Sequence, residues 1–85
     1  YYSEQIHVRL RCENRIMDQM IDIFGTEMKI LKQDAESFIA SVLVNKQGVL
    51  FLAQQFMEAI EIIKPEDLRE TMKEQLKLTL KKYSR

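Results

Sequence analysis

Apolar and polar residues alternate at the start of the chain, and this period of two predicts a β-strand over residues 5–12. The side expected to face a hydrophobic core consists of Ile6, Val8, Leu10 and Cys12. The opposite side is polar and cationic, and consists of His7, Arg9 and Arg11. The pattern therefore predicts a strand with one buried face and one charged face.

The apolar spacing changes to three and four after Asn14, which predicts a helix over about residues 15–24 with Asn14 as its N-cap. The apolar stripe of this helix is Ile16, Met17, Met20, Ile21 and Phe24. Gly25 follows at the point where a left-handed C-terminal cap is favoured.

Two further strands are predicted over residues 27–32 and 38–44. Between them lies a polar stretch, residues 33–37, that is typical of a turn. The two strands are therefore expected to form a β-hairpin.

A second helix is predicted over about residues 46–57 with Asn45 as its N-cap, followed by a short strand over 59–63. Pro65 opens a third helix that runs to about Tyr83. The apolar stripe of the third helix is Leu68, Met72, Leu76, Leu80 (or Thr79) and Tyr83. Three ion pairs are expected on its other side, Glu66–Arg69, Glu70–Lys73 and Glu74–Lys77.

The predicted order is β-α-β-β-α-β with an added C-terminal helix, which is the order of an α+β, ferredoxin-like fold. Its antiparallel sheet would have two helices on one face, and the free face would carry His7, Arg9, Arg11 and Ser41. Because strand 38–44 is apolar on both sides, part of that face is expected to be covered. The third helix, a second copy of the chain or the rest of a longer protein could cover it.

The 85 residues are enough for one domain with a thin core. Thirteen basic and thirteen acidic residues cancel, so direct binding to duplex DNA is not expected. No apolar run approaches the roughly 20 residues of a membrane span. A single cysteine allows no internal disulfide and fits a cytoplasmic location. Residues 1–5 are expected to be a linker or the tail of a preceding domain.

Catalytic and metal-binding groups are sparse in this sequence. One Cys and one His give no metal-ligand spacing, and two glycines are too few for a phosphate-cradling loop. Cys12 is expected in the core, and His7 on the surface. The first strand also lacks the aromatic residues of an RNA-recognition sheet. We therefore expect a protein that is not an enzyme and uses no cofactor and no metal.

Three arginines near the start of the chain, Arg9, Arg11 and Arg15, are the candidate binding residues. Their planar guanidinium groups suit bidentate binding of a carboxylate, a phosphate or an acidic partner surface. The alternative is internal pairing with Glu61 or with other acids of the same domain. Both interpretations are open at this point.

With these motifs in view, the chain resembles the C-terminal extension (WCX-type) domain of WYL-domain bacterial transcriptional regulators. The resemblance covers nearly the whole chain from Ile6. It is carried by Val8-Arg9-Leu10-Arg11, by Asp22-Ile23-Phe24-Gly25, and by Ile60-Glu61-Ile62-Ile63-Lys64-Pro65-Glu66-Asp67-Leu68-Arg69 with a final helix ending in Tyr83. The chain departs from the family where the second helix ends, because members often have Gly there and this chain reads Phe56-Met57-Glu58-Ala59.

The resemblance implies that residues 6–85 are a single C-terminal regulatory domain of a helix-turn-helix regulator. Such a domain would help the protein to dimerise and would assist a WYL domain of the same chain in sensing a nucleotide or nucleic-acid effector. This chain contains neither the DNA-reading helix nor the Trp-Tyr-Leu segment. A small-ligand sensor of ferredoxin-like type, binding a metabolite at a dimer interface, is the alternative interpretation.

Overall fold

The computed structural model describes residues 4–84, which form four strands and three α-helices. The strands are β1 (Ile6–Glu13), β2 (Lys29–Gln33), β3 (Ser37–Val44) and β4 (Ile60–Lys64), and the helices are α1 (Met17–Phe24), α2 (Lys46–Phe56) and α3 (Glu66–Tyr83). Short 3-10 turns occupy Asn14–Ile16, Gly25–Glu27 and Met57–Ala59. Of the linker predicted over residues 1–5, residues 1–3 lie outside the described part.

The four strands form one antiparallel sheet in the order β2-β3-β1-β4. This order and the positions of the helices are compatible with a ferredoxin-like fold followed by a C-terminal helix, so the predicted α+β class is confirmed. The strands in the centre of the sheet are β1 and β3, and their alternating apolar residues form the floor of the core.

The core lies between one face of the sheet and the helices. Its largest fully buried side chains are Phe38, Leu10, Met20, Val8, Val42, Val49 and Cys12. The prediction that Cys12 is a core residue is confirmed, because its side chain is fully buried. Burial raises the pKa of the Cys12 thiol to about 12, so this group stays protonated and unreactive near neutrality.

The predicted N-cap role of Asn14 is wrong, whereas that of Asn45 is confirmed. Asn14 is the first residue of a 3-10 turn whose N-cap is Glu13, and the N-cap of α1 is Ile16; neither cap forms a side-chain hydrogen bond. Asn14 instead donates from its side chain to the carbonyl oxygen of Asp34, at 3.0 Å, and thereby ties the hairpin turn to the end of β1. In α2, the Asn45 side chain accepts from the Gly48 N–H at 2.6 Å.

The turn between β2 and β3 is closed by the Asp34 carboxylate and by a backbone hydrogen bond, in which the Asp34 N–H donates to the Ser37 carbonyl oxygen at 2.9 Å. Oδ1 of Asp34 accepts the backbone N–H groups of Ser37 and Glu36, both at 2.9 Å. These bonds, first that of Ser37 and then that of Glu36, hold the pKa of Asp34 below its ordinary value of 3.8. The charged form is therefore the one that stabilises the hairpin.

Asp34→Ala is expected to lower the melting temperature by a few degrees at pH 7, because two N–H groups lose their acceptor. A carboxyl group whose pKa is lower in the folded state than in the unfolded state stabilises the fold at a pH above its unfolded-state pKa. That stabilisation is lost as the pH falls through the folded-state pKa. The difference in melting temperature between the wild type and Asp34→Ala should therefore decrease below pH 3.8. Thermal melts by circular dichroism from pH 7 to pH 2.5 measure this, and Asp34→Asn is the non-titrating control. A difference that stays constant with pH would contradict the assigned role.

The apolar stripe of α3 leaves the core halfway along the helix. Leu68 and Met72 are buried, as predicted, whereas Leu76, Leu80 and Tyr83 are exposed. An 18-residue helix is about 27 Å long, whereas the five residues of β4 beside it span about 17 Å. The second half of α3 therefore extends beyond the strand beside which it begins.

Polar contacts place α3 beside α2, on the core side of the sheet. Helix α3 therefore does not cover the opposite, free face of the sheet. Gln54 of α2 donates to Gln75 of α3 at 2.6 Å. Of the three predicted ion pairs, Glu74–Lys77 is present at 4.0 Å within residues 4–84, and the other two are not formed. None of the helices in the described range is both long and apolar enough to cross a bilayer.

Candidate functional site

The face of the sheet opposite the helices, here called the open face, carries the polar residues of β1. Directly paired residues of antiparallel strands project to the same side of a sheet. The register pairs His7 with Leu43, Arg9 with Ser41, and Arg11 with Ile39. The predicted placement of His7, Arg9, Arg11 and Ser41 on this face is therefore confirmed.

Two irregularities of the register bring three lysines to the open face. In β2 the register shifts around Leu31, so that Lys29 pairs with Ser41 and Lys32 pairs with Ile39. In β4 the register shifts around Ile63, so that Lys64 pairs with Arg9. These lysines were missed by sequence reasoning, since a strict period of two places Lys29 and Lys32 on opposite faces.

The result is two rows of side chains that cross the open face at right angles to the strands. The first, here called the cationic row, is Lys29, Ser41, Arg9 and Lys64. The second row is Lys32, Ile39, Arg11 and Glu61. Neighbouring strands are about 4.8 Å apart, so the cationic row presents positive charge and a hydroxyl across roughly 15 Å.

The three predicted arginines differ in their partners. Arg11 lies 3.6 Å from Glu61, which is the internal pairing that the sequence left open. Arg15 follows β1 in the first 3-10 turn and hydrogen-bonds Glu13, a contact that raises the pKa of Arg15. Arg9 forms no salt bridge within residues 4–84. Arg9 is therefore the residue of the three whose charge is free for an external anion.

Charge on the open face is unbalanced although the chain as a whole is neutral. Its cations are Arg9, Arg11, Lys29, Lys32 and Lys64, and its acids are Glu13 and Glu61. Both acids are already paired with arginines, so the remaining positive charge attracts anions.

The chain matches no protein-family model and no curated protein.

Ligating side chains are dispersed in the described part of the chain, where no three His, Cys, Asp or Glu residues come close enough together to hold a metal ion. The open face offers guanidinium and ammonium donors, the hydroxyls of Ser37 and Ser41, and the imidazole of His7. These groups suit a ligand with several negatively charged oxygens, because each donor forms a charge-assisted hydrogen bond.

A second surface is a groove of about 930 Å³ between α3, β4 and the Met57–Ala59 turn, here called the α3 groove. Its walls are apolar at Met57, Ile60, Met72, Leu76 and Leu80. Arg69 also lines the groove, and it donates to Glu61 at 2.6 Å and to the carbonyl oxygen of Ile62 at 2.9 Å. The bond to Glu61 raises the pKa of Arg69. The contact anchors the start of α3 to the edge of β4.

The Met57 backbone is in a conformation that favours glycine. Its φ is 50° and its ψ is −114°, close to the 59° and −133° of Gly25 at the end of α1. The two helix-to-strand connections of the fold are thus alike, with glycine in one and methionine in the other. Met57 belongs to the Phe56-Met57-Glu58-Ala59 segment, in which the sequence departs from the family that it resembles.

Proposed function

We propose that this chain is a non-enzymatic regulatory and dimerisation domain of a bacterial helix-turn-helix transcriptional regulator. In this role it assists a WYL domain of the same protein in sensing a signal. The resemblance supports the class of protein. The observation that carries the proposal is the cationic row, in which Arg9 has no salt-bridge partner among residues 4–84, because this row gives the domain a surface for an anionic effector.

The effector that this surface fits best is a nucleotide or a single-stranded nucleic acid. Phosphate groups accept from guanidinium and ammonium donors, and several of them in sequence match several cations in a row. The residues of both rows include no aromatic side chain, and Phe38 of β3 is buried in the core. Recognition would therefore act on the phosphates and not by stacking on the bases.

Arg9→Glu is expected to weaken binding of a fluorescein-labelled single-stranded oligonucleotide by about tenfold to a hundredfold. It should also reduce the slope of log affinity against log salt by about one, because one phosphate contact is lost. Fluorescence anisotropy at several salt concentrations measures both quantities. Lys82→Glu is the matched control, since it makes the same charge change near the end of α3, and its affinity should stay close to that of the wild type.

Equal loss of affinity in Arg9→Glu and Lys82→Glu would mean that net charge, and not the cationic row, governs binding. Absence of measurable binding to oligonucleotides and nucleotides at low salt would overturn the effector class. A thermal-shift screen distinguishes the proposed function from the alternative, a small-ligand sensor. Stabilisation by amino acids or other metabolites, without stabilisation by nucleotides or oligonucleotides, would favour the small-ligand sensor.

A further inference from the structure

We infer that the α3 groove is occupied by α3 of a second copy of this chain, with the two helices antiparallel. This inference rests on the dimerisation part of the proposed function and specifies its surface and geometry. Three observations support it: the apolar stripe that leaves the core, the order of charges along α3, and the backbone at Met57.

The first observation is the apolar stripe on the second half of α3. Leu76, Leu80 and Tyr83 follow one another at helical spacing, and the exposed fractions of Leu80 and Tyr83 are 65% and 85%. Leu76 and Leu80 form one wall of the α3 groove and continue from buried Met72. An apolar stripe that runs out of the core onto a projecting helix is typical of a helix-packing surface.

The second observation is the order of charges on one flank of α3. Glu66, Glu70, Lys77 and Lys81 lie within an arc of about 60°, next to the apolar stripe. The acids occupy the first half of the helix and the lysines the second. Within residues 4–84, Glu66, Glu70 and Lys81 have no salt-bridge partner, and Lys77 has only the 4.0 Å contact with Glu74.

This order is self-complementary in an antiparallel pair, because the same flank of each helix then faces its counterpart in the opposite direction. When two copies pack with their centres between Lys73 and Glu74, Glu70 of each copy faces Lys77 of the other. The same alignment places Glu66 opposite Lys81. Two-fold symmetry then produces four intermolecular ion pairs from one alignment, as an isologous interface requires. Charge thus identifies the occupant as a second copy of this chain.

The third observation is Met57. A non-glycine residue with positive φ is strained, and such residues are tolerated where the side chain has a role. The Met57 side chain is 56% exposed and forms the wall of the α3 groove opposite α3. Methionine is suited to a packing surface because its side chain is flexible and polarisable. A second helix in the groove would cover it.

The inference is tested with two charge reversals, Glu70→Lys and Lys77→Glu, in the complete 85-residue chain. Each single variant places like charges opposite each other twice in the homodimer. Sedimentation equilibrium should therefore give a dimer dissociation constant about tenfold higher than that of the wild type. An equimolar mixture of the two variants should form a heterodimer in which every pair is again opposite in charge. The double variant Glu70→Lys/Lys77→Glu should regain wild-type affinity.

Lys82→Glu is the control, because it makes the same charge change outside the flank and should leave dimerisation unchanged. Circular dichroism checks that each variant folds. A wild-type dimer that is insensitive to both reversals, or a mixture that forms no heterodimer, would overturn the α3 alignment while dimerisation stands. A wild-type chain that stays monomeric at several hundred micromolar would overturn both the α3 alignment and the proposed dimerisation. The oligonucleotide-binding experiment tests the open face separately from the α3 alignment.

Discussion

Phe38→Ala is expected to destabilise the domain by about 3–5 kcal/mol. Phe38 is the largest fully buried side chain in the described part of the chain and lies on the central strand β3. Removing a buried phenylalanine costs about 3–5 kcal/mol, whereas a domain of this length has a free energy of unfolding of about 4–13 kcal/mol. Urea denaturation followed by circular dichroism should show a large fall in the midpoint, or no folded baseline.

Phe51→Ala is the matched control for that experiment. Phe51 is on α2, and its side chain is 69% exposed. Its replacement should change the free energy of unfolding by less than about 0.5 kcal/mol. Similar losses for both variants would contradict the placement of the core on the helix side of the sheet.

Met57→Gly is expected to stabilise the monomer by about 1–2 kcal/mol, because glycine adopts the φ of 50° without strain. Gly25→Ala should have the opposite effect. A Cβ atom at Gly25 would meet nothing within 4 Å, so its cost arises from the backbone alone. Urea denaturation should be performed at low protein concentration, because the inferred dimerisation would add to the apparent stability.

Met57→Ala separates the backbone effect from loss of the side chain. It keeps the positive φ and removes most of the side-chain contacts, so it should give no stabilisation. If Met57→Gly and Met57→Ala change stability equally, the backbone at this position is not strained. Under the inferred dimer, both variants should also weaken self-association, because the methionine side chain lines the α3 groove.

The order of elements could be predicted from the sequence because each buried face repeats with the period of its element. β1 illustrates this, since Val8, Leu10 and Cys12 alternate without interruption and are all fully buried. The end of the α3 stripe could not be predicted in the same way. Periodicity identifies which side of a helix is apolar, but the extent of the sheet beneath it decides how far that side is covered.

The candidate site was only partly predictable for a similar reason. Arg9 and Arg11 lie on a regular strand, so their shared direction follows from spacing. Lys29, Lys32 and Lys64 reach the same face only because β2 and β4 each contain an extra residue, and the sequence has no clear signal for either irregularity. The partner of Arg69 also depends on the tertiary structure. Arg69 pairs with Glu61 of β4 and not with Glu66, the acid three residues before it in α3.

Glu61 has a consequence that extends beyond its own contacts. Its carboxylate is shared by Arg11 on the sheet and Arg69 at the root of the terminal helix. An anion that drew Arg11 away would leave the carboxylate to Arg69 alone and so alter how firmly α3 is anchored. By thermodynamic reciprocity, an interaction that holds α3 in place would then change the affinity of the open face for the anion by the same factor. Under the proposed function and the inferred dimer, this one shared acid would therefore couple effector binding to subunit pairing.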